Sequence, residues 1–291
     1  MTIAVYARPA VGHHTALMDL ICSQLAAEKV QVMVYEPFYE SLRQQGFQTA
    51  INTFNTSEAL IAAADYVICL GGDGTMLDAV SFVRKSGIPV LGVNTGRLGF
   101  LASVSKEYLK KALDLLVHEK FTLDKRELIT VNGCENCFDA INYGLNEFTI
   151  HKMDRSPMIH IDTYVDGVFL NSYFADGLIV ATATGSTAYS LSCGGPIMMP
   201  DSDNFIITPI APHNLTVRPL IISNNREISF SVRGRATEFN ISLDSRIARI
   251  PVSQTISVQK ADFRINLINL EGQQFFSTLR NKMMWGLDMR K

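Results

Sequence analysis

Residues 70–77 read Leu70-Gly71-Gly72-Asp73-Gly74-Thr75-Met76-Leu77. An apolar run (Tyr66, Val67, Ile68, Cys69, Leu70) stops at two glycines, and a helix-like segment follows over 76–85. Strand, glycine turn and helix start, in that order, predict a βα unit whose turn lies at the carboxyl end of a strand. Glycines at 71, 72 and 74 tolerate positive φ and carry no Cβ, so main-chain amides can approach a ligand closely. The first amides of the helix lack intrahelical acceptors and lie at the positive end of its dipole, which favours phosphate. Asp73 breaks that pattern. A carboxylate among phosphate-seeking amides repels the ligand unless it holds a metal, anchors a sugar hydroxyl or accepts a proton. The turn therefore reads as built for chemistry on a phosphorylated substrate. The plainer alternative is a tight turn in which Asp73 or Thr75 caps the helix.

Outward from this turn, the first half of the chain alternates between strand and helix periodicity. Strand signals fall at 3–6, 30–35, 66–70 and 89–93, and helical spacing at 15–28 (Leu17, Leu20, Ile21, Leu25), 59–64, 76–85 and 106–119. The stretch 36–58 is polar and shows no clear period. Such alternation predicts a mostly parallel sheet covered by helices, with ligands at the carboxyl ends of its strands. A second glycine-bearing turn, 92–100 (Gly92, Asn94, Gly96, Arg97, Leu98, Gly99, Phe100), follows the strand at 89–93. It reads either as a second wall of amides or as a loop that needs glycine for its shape.

From about residue 121 helical periodicity gives way to short strands with turn signals, at 126–131, 139–142, 146–151, 158–165, 168–173, 227–232, 239–243, 255–260 and 263–268, before a helical segment at 274–285. The predicted organisation is an α/β domain over 1–121 with a mostly parallel sheet, then a β-rich, β-sandwich-like domain over 122–265. A C-terminal segment, 266–291, is able to return to the first domain.

The 291 residues, 47% hydrophobic and 19% charged, have an ordinary globular composition, and a net charge of -2 gives no general pull toward nucleic acid or an anionic membrane. The start of the chain has no basic region followed by a long apolar one, so no secretory signal is expected. No apolar run approaches the roughly 20 residues of a membrane helix. Five cysteines, three of them scattered singly (Cys22, Cys69, Cys193), suit a reducing cytoplasm. Cys134 and Cys137 form a CxxC without a second pair and read as a hairpin tip. No side-chain set reads as a metal cage.

Three further stretches carry chemistry. Asn146-Glu147 pairs an amide able to donate to and accept from a base edge with a carboxylate able to take sugar hydroxyls; in isolation it reads equally as a strand-edge polar pair. Residues 176–197, DGLIVATATGSTAYSLSCGGPI, run from an apolar strand into a small, hydroxyl-rich turn, and Tyr189 offers a ring for a base or ribose. The third, 209–219, is rigid and turn-rich, and His213 reads as a hydrogen-bonded structural histidine. Arg226, Arg233, Arg235, Arg246 and Arg249 read as solvated strand faces, with Arg246, beside Asp244-Ser245, able to reach a phosphate.

Taken in order, GGDGT at 71–75, Asn146-Glu147, the segment from Asp176 with TGSTAYSLSCGGP, and PHNLTVRP at 212–219 closely resemble the NAD kinase family of the bacterial ATP-NAD type. A lone GGDGT would not discriminate, since diacylglycerol, sphingosine and phosphofructokinase relatives carry similar loops; the TGSTAYSLS segment does. The resemblance implies an N-terminal α/β domain with a C-terminal β-sandwich-like one. It implies phosphorylation of the adenosine ribose 2'-hydroxyl of NAD to NADP, with ATP or another donor and a divalent metal, usually Mg, in homodimers or homotetramers. By position it makes Asp73 the catalytic aspartate and Gly74 its substrate-contacting neighbour, with Gly71, Gly72 and Thr75 completing the nucleotide turn. Asn146 and Glu147 resemble the pair holding adenine and ribose, and Asp176 an NAD-binding aspartate. Thr187, Ala188, Tyr189, Ser190 and Ser192 resemble the adjoining substrate loop. Two positions depart from the family pattern. Phe174 stands where many relatives are basic, which leaves a phosphate contact either missing or supplied by Arg155 or Lys152, and Arg246 stands where some have a neutral amide. The rivals are a kinase of lipid or sugar with the same glycine loop, and a dinucleotide sensor, which could dispense with Asp73.

Overall fold

The computed structural model describes residues 1–9, 14–96, 99–134, 136–139, 141–154, 156–270 and 275–284. The chain divides into two units, one of residues 1–125 with 265–291 and one of residues 126–264.

In the first unit, apolar runs bounded by polar turns become buried strands. In chain order come β1 (Thr2–Tyr6), α1 (Thr15–Ala27), β2 (Gln31–Tyr35), α2 (Glu36–Gln44), β3 (Asn52–Phe54), α3 (Ser57–Ala63), β4 (Tyr66–Gly71), α4 (Asp73–Val83), β5 (Val90–Asn94), β6 (Val104–Ser105) and α5 (Leu109–Val117). The strands pair in parallel in the order β5-β4-β1-β2-β3, with β6 on the far side of β5. Alternate side chains serve opposite faces. Ile3, Val5, Val34, Ile68, Leu70, Leu91 and Val93 pack on Met18, Ile21 and Leu25 of α1 and on α5. Tyr6, of the other parity, meets Phe82 of α4, with ring centres 5.1 Å apart. The stretch without a clear period holds α2 and β3: Pro37 opens the helix, and Phe38 and Leu42 form its buried stripe. Helix α4 begins at Asp73, three residues before the start read from periodicity.

The second unit is antiparallel. It contains β7 (Phe121–Asn132, its first residues in the first unit), β8 (Tyr143–Gly144), β9 (Glu147–His151), β10 (Ile159–Val165), β11 (Val168–Ala175), β12 (Gly177–Ala181), α6 (Tyr189–Ser192), β13 (Asn204–Ile210), β14 (Leu220–Ser223), β15 (Ile228–Arg233), β16 (Glu238–Leu243) and β17 (Arg246–Pro251). β18 (Ile256–Leu270) is one long strand where two short ones are read from the sequence. One sheet runs β14-β13-β12-β9-β16-β17; β11-β10-β15-β18 pair in another. Phe148, Ile150, Leu178, Val180 and Phe239 from the first sheet share a core with Ile161, Phe230, Val232 and Val258 from the second. Phe148 stacks on Phe230 with centres 5.9 Å apart. This is the expected sandwich-like packing. Residues 136–139 form a turn rather than the start of a strand, and the Cys134 and Cys137 sulfurs face each other across it.

From Ile265 onward β18 belongs to the first unit, where Leu267 registers with Val90 of β5. Helix α7 (Phe275–Met283) follows in the same unit. Residues 274 and 285, at the ends of the helix expected there, lie outside the described residues, and among those described no helix is long and apolar enough to cross a membrane.

Candidate active site

Within the first unit, β1 has β4 on one side and β2 on the other, so chain order reverses at β1. Open α/β sheets bind ligands at the carboxyl ends of strands beside such a reversal. The GGDGT turn caps β4 there, and Arg8 follows β1. Arg8 donates to Asp78 and, from Nη2, to the Gly74 carbonyl at 3.2 Å, which places a cation, missed in the sequence reading, against the glycine turn.

The glycines matter through their missing Cβ atoms rather than through positive φ, which none of the three adopts. A Cβ on Gly71 would strike the buried Thr75 side chain at 2.3 Å, whereas Gly72 has nothing within 4 Å and Gly74 only the Arg8 guanidinium at 3.8 Å. Thr75 thus packs the strand end, and Gly72 and Gly74 present bare backbone at the start of an 11-residue helix.

Asp73 is neither a cap nor a free acid. Its Oδ2 accepts the Phe100 amide at 2.9 Å, and Oδ1 accepts those of Leu101 at 2.9 Å and Ala102 at 3.1 Å. A Cβ on Gly99 would lie 2.0 Å from Oδ1. The second glycine turn therefore spends its amides on Asp73, aiming the carboxylate; Arg97 and Leu98 of that turn lie outside the described residues.

In the second unit, Asn146 and Glu147 are both buried. Asp244, half-buried just past the end of β16, accepts the amides of Leu145 (2.8 Å), Asn146 (2.8 Å) and Glu147 (3.2 Å). Behind this loop Thr182 Oγ1 donates to the Leu145 carbonyl at 2.6 Å, and a Cβ on Gly185 would lie 2.0 Å from the Asn146 carbonyl oxygen. Burial, and next the charge of Asp244, push the Glu147 carboxyl up to about 8, with the Tyr189 amide opposing them. Burial raises Asp244 as well, against its three amides and Arg246. Glu147 Oε2 is buried and has no hydrogen-bond partner among the described residues. A buried, unsatisfied carboxyl oxygen is costly and points to a missing polar partner.

Arg246 donates to the Ile141 and Tyr143 carbonyls and lies over the Phe138 ring; these contacts hold the strand leading to Asn146. Lys152 Nζ stands 2.8 Å from Asp176 Oδ1, near enough for an ion pair though not aligned as a hydrogen bond. Phe174 lies between His160 (4.5 Å) and His213 (5.4 Å), and the His213 amide donates to the Phe174 carbonyl at 2.8 Å. Arg155 lies outside the described residues. Arg226 and Arg233 pair with Asp166 and Asp162.

The hydroxyl-rich turn is only partly open. Thr187 and Ala188 are half-buried, Tyr189 and Ser192 are exposed, and Ser190 is fully buried with its hydroxyl 2.8 Å from that of Thr208. Among the described residues no three His, Cys, Asp or Glu side chains converge as a metal cage. Magnesium at phosphate sites takes one or two carboxylates and draws its other ligands from phosphates and water, so the residues present fit an ion arriving on a donor's phosphates rather than a resident one.

The chain matches the ATP-NAD kinase N-terminal domain over residues 3–121 and the ATP-NAD kinase C-terminal domain over 145–270. The chain belongs to the NAD kinase family. It is 42% identical over 292 residues to the NAD kinase of Cytophaga hutchinsonii and 41% identical over 293 residues to that of Flavobacterium johnsoniae, in each case over 100% of both chains. Among solved structures, an NAD kinase from Archaeoglobus fulgidus in complex with ATP superposes with TM-score 0.77 at 25% identity, covering 98% of this chain and 99% of that one. Yeast NADH kinase complexed with NADH superposes with TM-score 0.88 over 99% and 89% of the two chains; at 24% identity that likeness speaks for the fold.

Proposed function

We propose that the chain is an NAD kinase, transferring the γ-phosphoryl group of ATP to the 2'-hydroxyl of the adenosine ribose of NAD to give NADP. One observation carries this beyond family membership: Asp73 opens a helix at a bare glycine turn and is held by three main-chain amides. A carboxylate so fixed can orient a hydroxyl and take its proton as the new O–P bond forms. Phosphoryl transfer has a loose transition state, so catalysis is mostly positioning and charge stabilisation.

The other roles follow from placement. Gly71, Gly72, Gly74 and Thr75 supply the turn whose amides face the donor phosphates. Asn146 and Glu147 take the adenosine: with its carboxyl near 8, Glu147 is largely protonated at neutral pH and both donates and accepts, matching a sugar hydroxyl. Asp176, Thr187, Ala188, Tyr189 and Ser192 contact the rest of NAD, and Ser190 fixes their turn through Thr208. When bound with ATP, a divalent metal such as Mg neutralises phosphate charge. Homodimeric or homotetrameric assembly and cytoplasmic residence complete the proposal, the latter supported by the singly spaced free thiols Cys22, Cys69 and Cys193.

Incubating the protein with NAD, ATP and Mg, and reading product with an NADP-specific dehydrogenase, is the test. NADP should form, and a panel of diacylglycerol and sugar acceptors with labelled ATP should stay unlabelled. Label in a lipid or sugar and none in NAD would contradict the proposal; NAD binding without turnover would leave the sensor.

A further inference from the structure

In the first unit α7 brings a cation onto Asp73. Lys282 Nζ lies 3.4 Å from Asp73 Oδ2 and 4.4 Å from the centre of the Phe100 ring. Phe275, on the same helix, lies 6.2 Å from Phe100. An ionised carboxylate offers about four lone-pair sites, two on each oxygen. On Asp73, Leu101 and Ala102 fill Oδ1, while Phe100 and Lys282 fill Oδ2. The three amides belong to a packed turn, with Leu101 and Ala102 buried. Lys282 is different: it is on a long, flexible side chain about a third exposed, and its contact is the longest of the four. An acceptor hydroxyl that gives its proton to Asp73 has one site to occupy, the one Lys282 covers.

We propose that Lys282 is a catalytic residue with two positions. Before the acceptor binds, it holds the open lone-pair site of Asp73. The acceptor hydroxyl then displaces it, and the released ammonium moves to the non-bridging oxygens of the phosphoryl group in transfer. In the step itself the ribose hydroxyl oxygen bonds to the γ-phosphorus and its proton passes to Asp73 Oδ2. The bond between that phosphorus and the β,γ-bridging oxygen breaks, its electron pair leaving with ADP. Lys282 exchanges no atoms; it supplies charge where the transition state spreads negative charge over oxygen.

This inference rests on the proposed kinase reaction at Asp73, and the experiment separates the two. Lys282→Met and Lys282→Arg are compared with wild type for NADP formation, NAD affinity by calorimetry, and melting temperature. For Lys282→Met we expect kcat to fall about 100-fold, within the range for loss of one donor aimed at charge developing in the transition state. KM for NAD should be unchanged or lower, because the hydroxyl no longer competes with an ammonium. Lys282→Arg should recover part of kcat. A purely structural anchor predicts otherwise: kcat falling only as far as the folded fraction does, with both restored together by arginine. That outcome, or a Lys282→Met enzyme within twofold of wild-type kcat, overturns the role of Lys282 and leaves the kinase assignment standing. A wild type that forms no NADP overturns both.

Discussion

The two units use the same device for opposite ends. Each has an aspartate that accepts three successive main-chain amides: Asp73 takes those of residues 100–102 and Asp244 those of residues 145–147. Asp73 is about 30% exposed with an ammonium beside it, so its amides aim a charge outward. Asp244 is half-buried and has a second carboxyl one loop away, so its amides hold a loop and its charge is a burden that raises Glu147. On the proposed reading, the same amide nest serves a reagent at Asp73 and a brace at Asp244.

Substitutions that add one methyl group sharpen this contrast most. At Gly99 the atoms nearest the new Cβ belong to the movable end of Asp73, so Gly99→Ala should cut kcat about 100-fold, within the range for losing a positioned general base. Its melting temperature should stay close to wild type; a large stability loss with normal kcat would show that the nest is merely structural. At Gly185 the new Cβ meets the Asn146 main chain, which cannot swing away. Gly185→Ala should therefore destabilise by roughly 2–4 kcal/mol in denaturant unfolding and weaken NAD binding; unchanged values would remove the claim that the loop is rigid.

Asp244→Ala tests the brace itself. Leaving three amides without their acceptor should destabilise by about 1–3 kcal/mol, raise KM for NAD more than it lowers kcat, and bring the Glu147 pKa down, as seen by carboxyl NMR. A kcat loss at constant KM would make Asp244 a reagent after all.

The smallest effect is in pH. Glu147 rises from 4.5 in a model peptide to about 8 when folded, so the unfolded chain ionises first as pH increases. Its contribution to stability is fully present below 4.5 and is lost as pH rises through about 8. Glu147→Gln cannot ionise and should gain stability relative to wild type between pH 5 and pH 9, measured by unfolding at each pH; parallel curves would contradict a buried, raised carboxyl.

Much of the frame was legible in the sequence because its signals are local. An apolar run ending in glycine marked β4, one led by Pro89 marked β5, and helical spacing marked α1 and α5. Where competing cues overlapped, elements were lost. Pro209 argues against a strand, yet β13 carries it opposite Leu178. β14 is a short, largely exposed edge, and β17 mixes arginines with its apolar residues. At the site, the motifs named Asp73, Asn146, Glu147 and Asp176 but not what holds them. Asp73 finds its amides 27 to 29 residues away and its ammonium 209 away, and Asp244 reaches back 97 to 99. No periodicity encodes such contacts. The local hints were Gly99 and Gly185, glycines in turns where positive φ is not used.

The central claim is that Asp73 takes the ribose proton. Asp73→Asn, assayed for NADP formation beside calorimetric titration with NAD, tests it most directly. The account predicts turnover lowered by about 10² to 10⁴ fold while NAD still binds and the fold melts as a single cooperative unit or pair of units; near-normal turnover in that variant would contradict it.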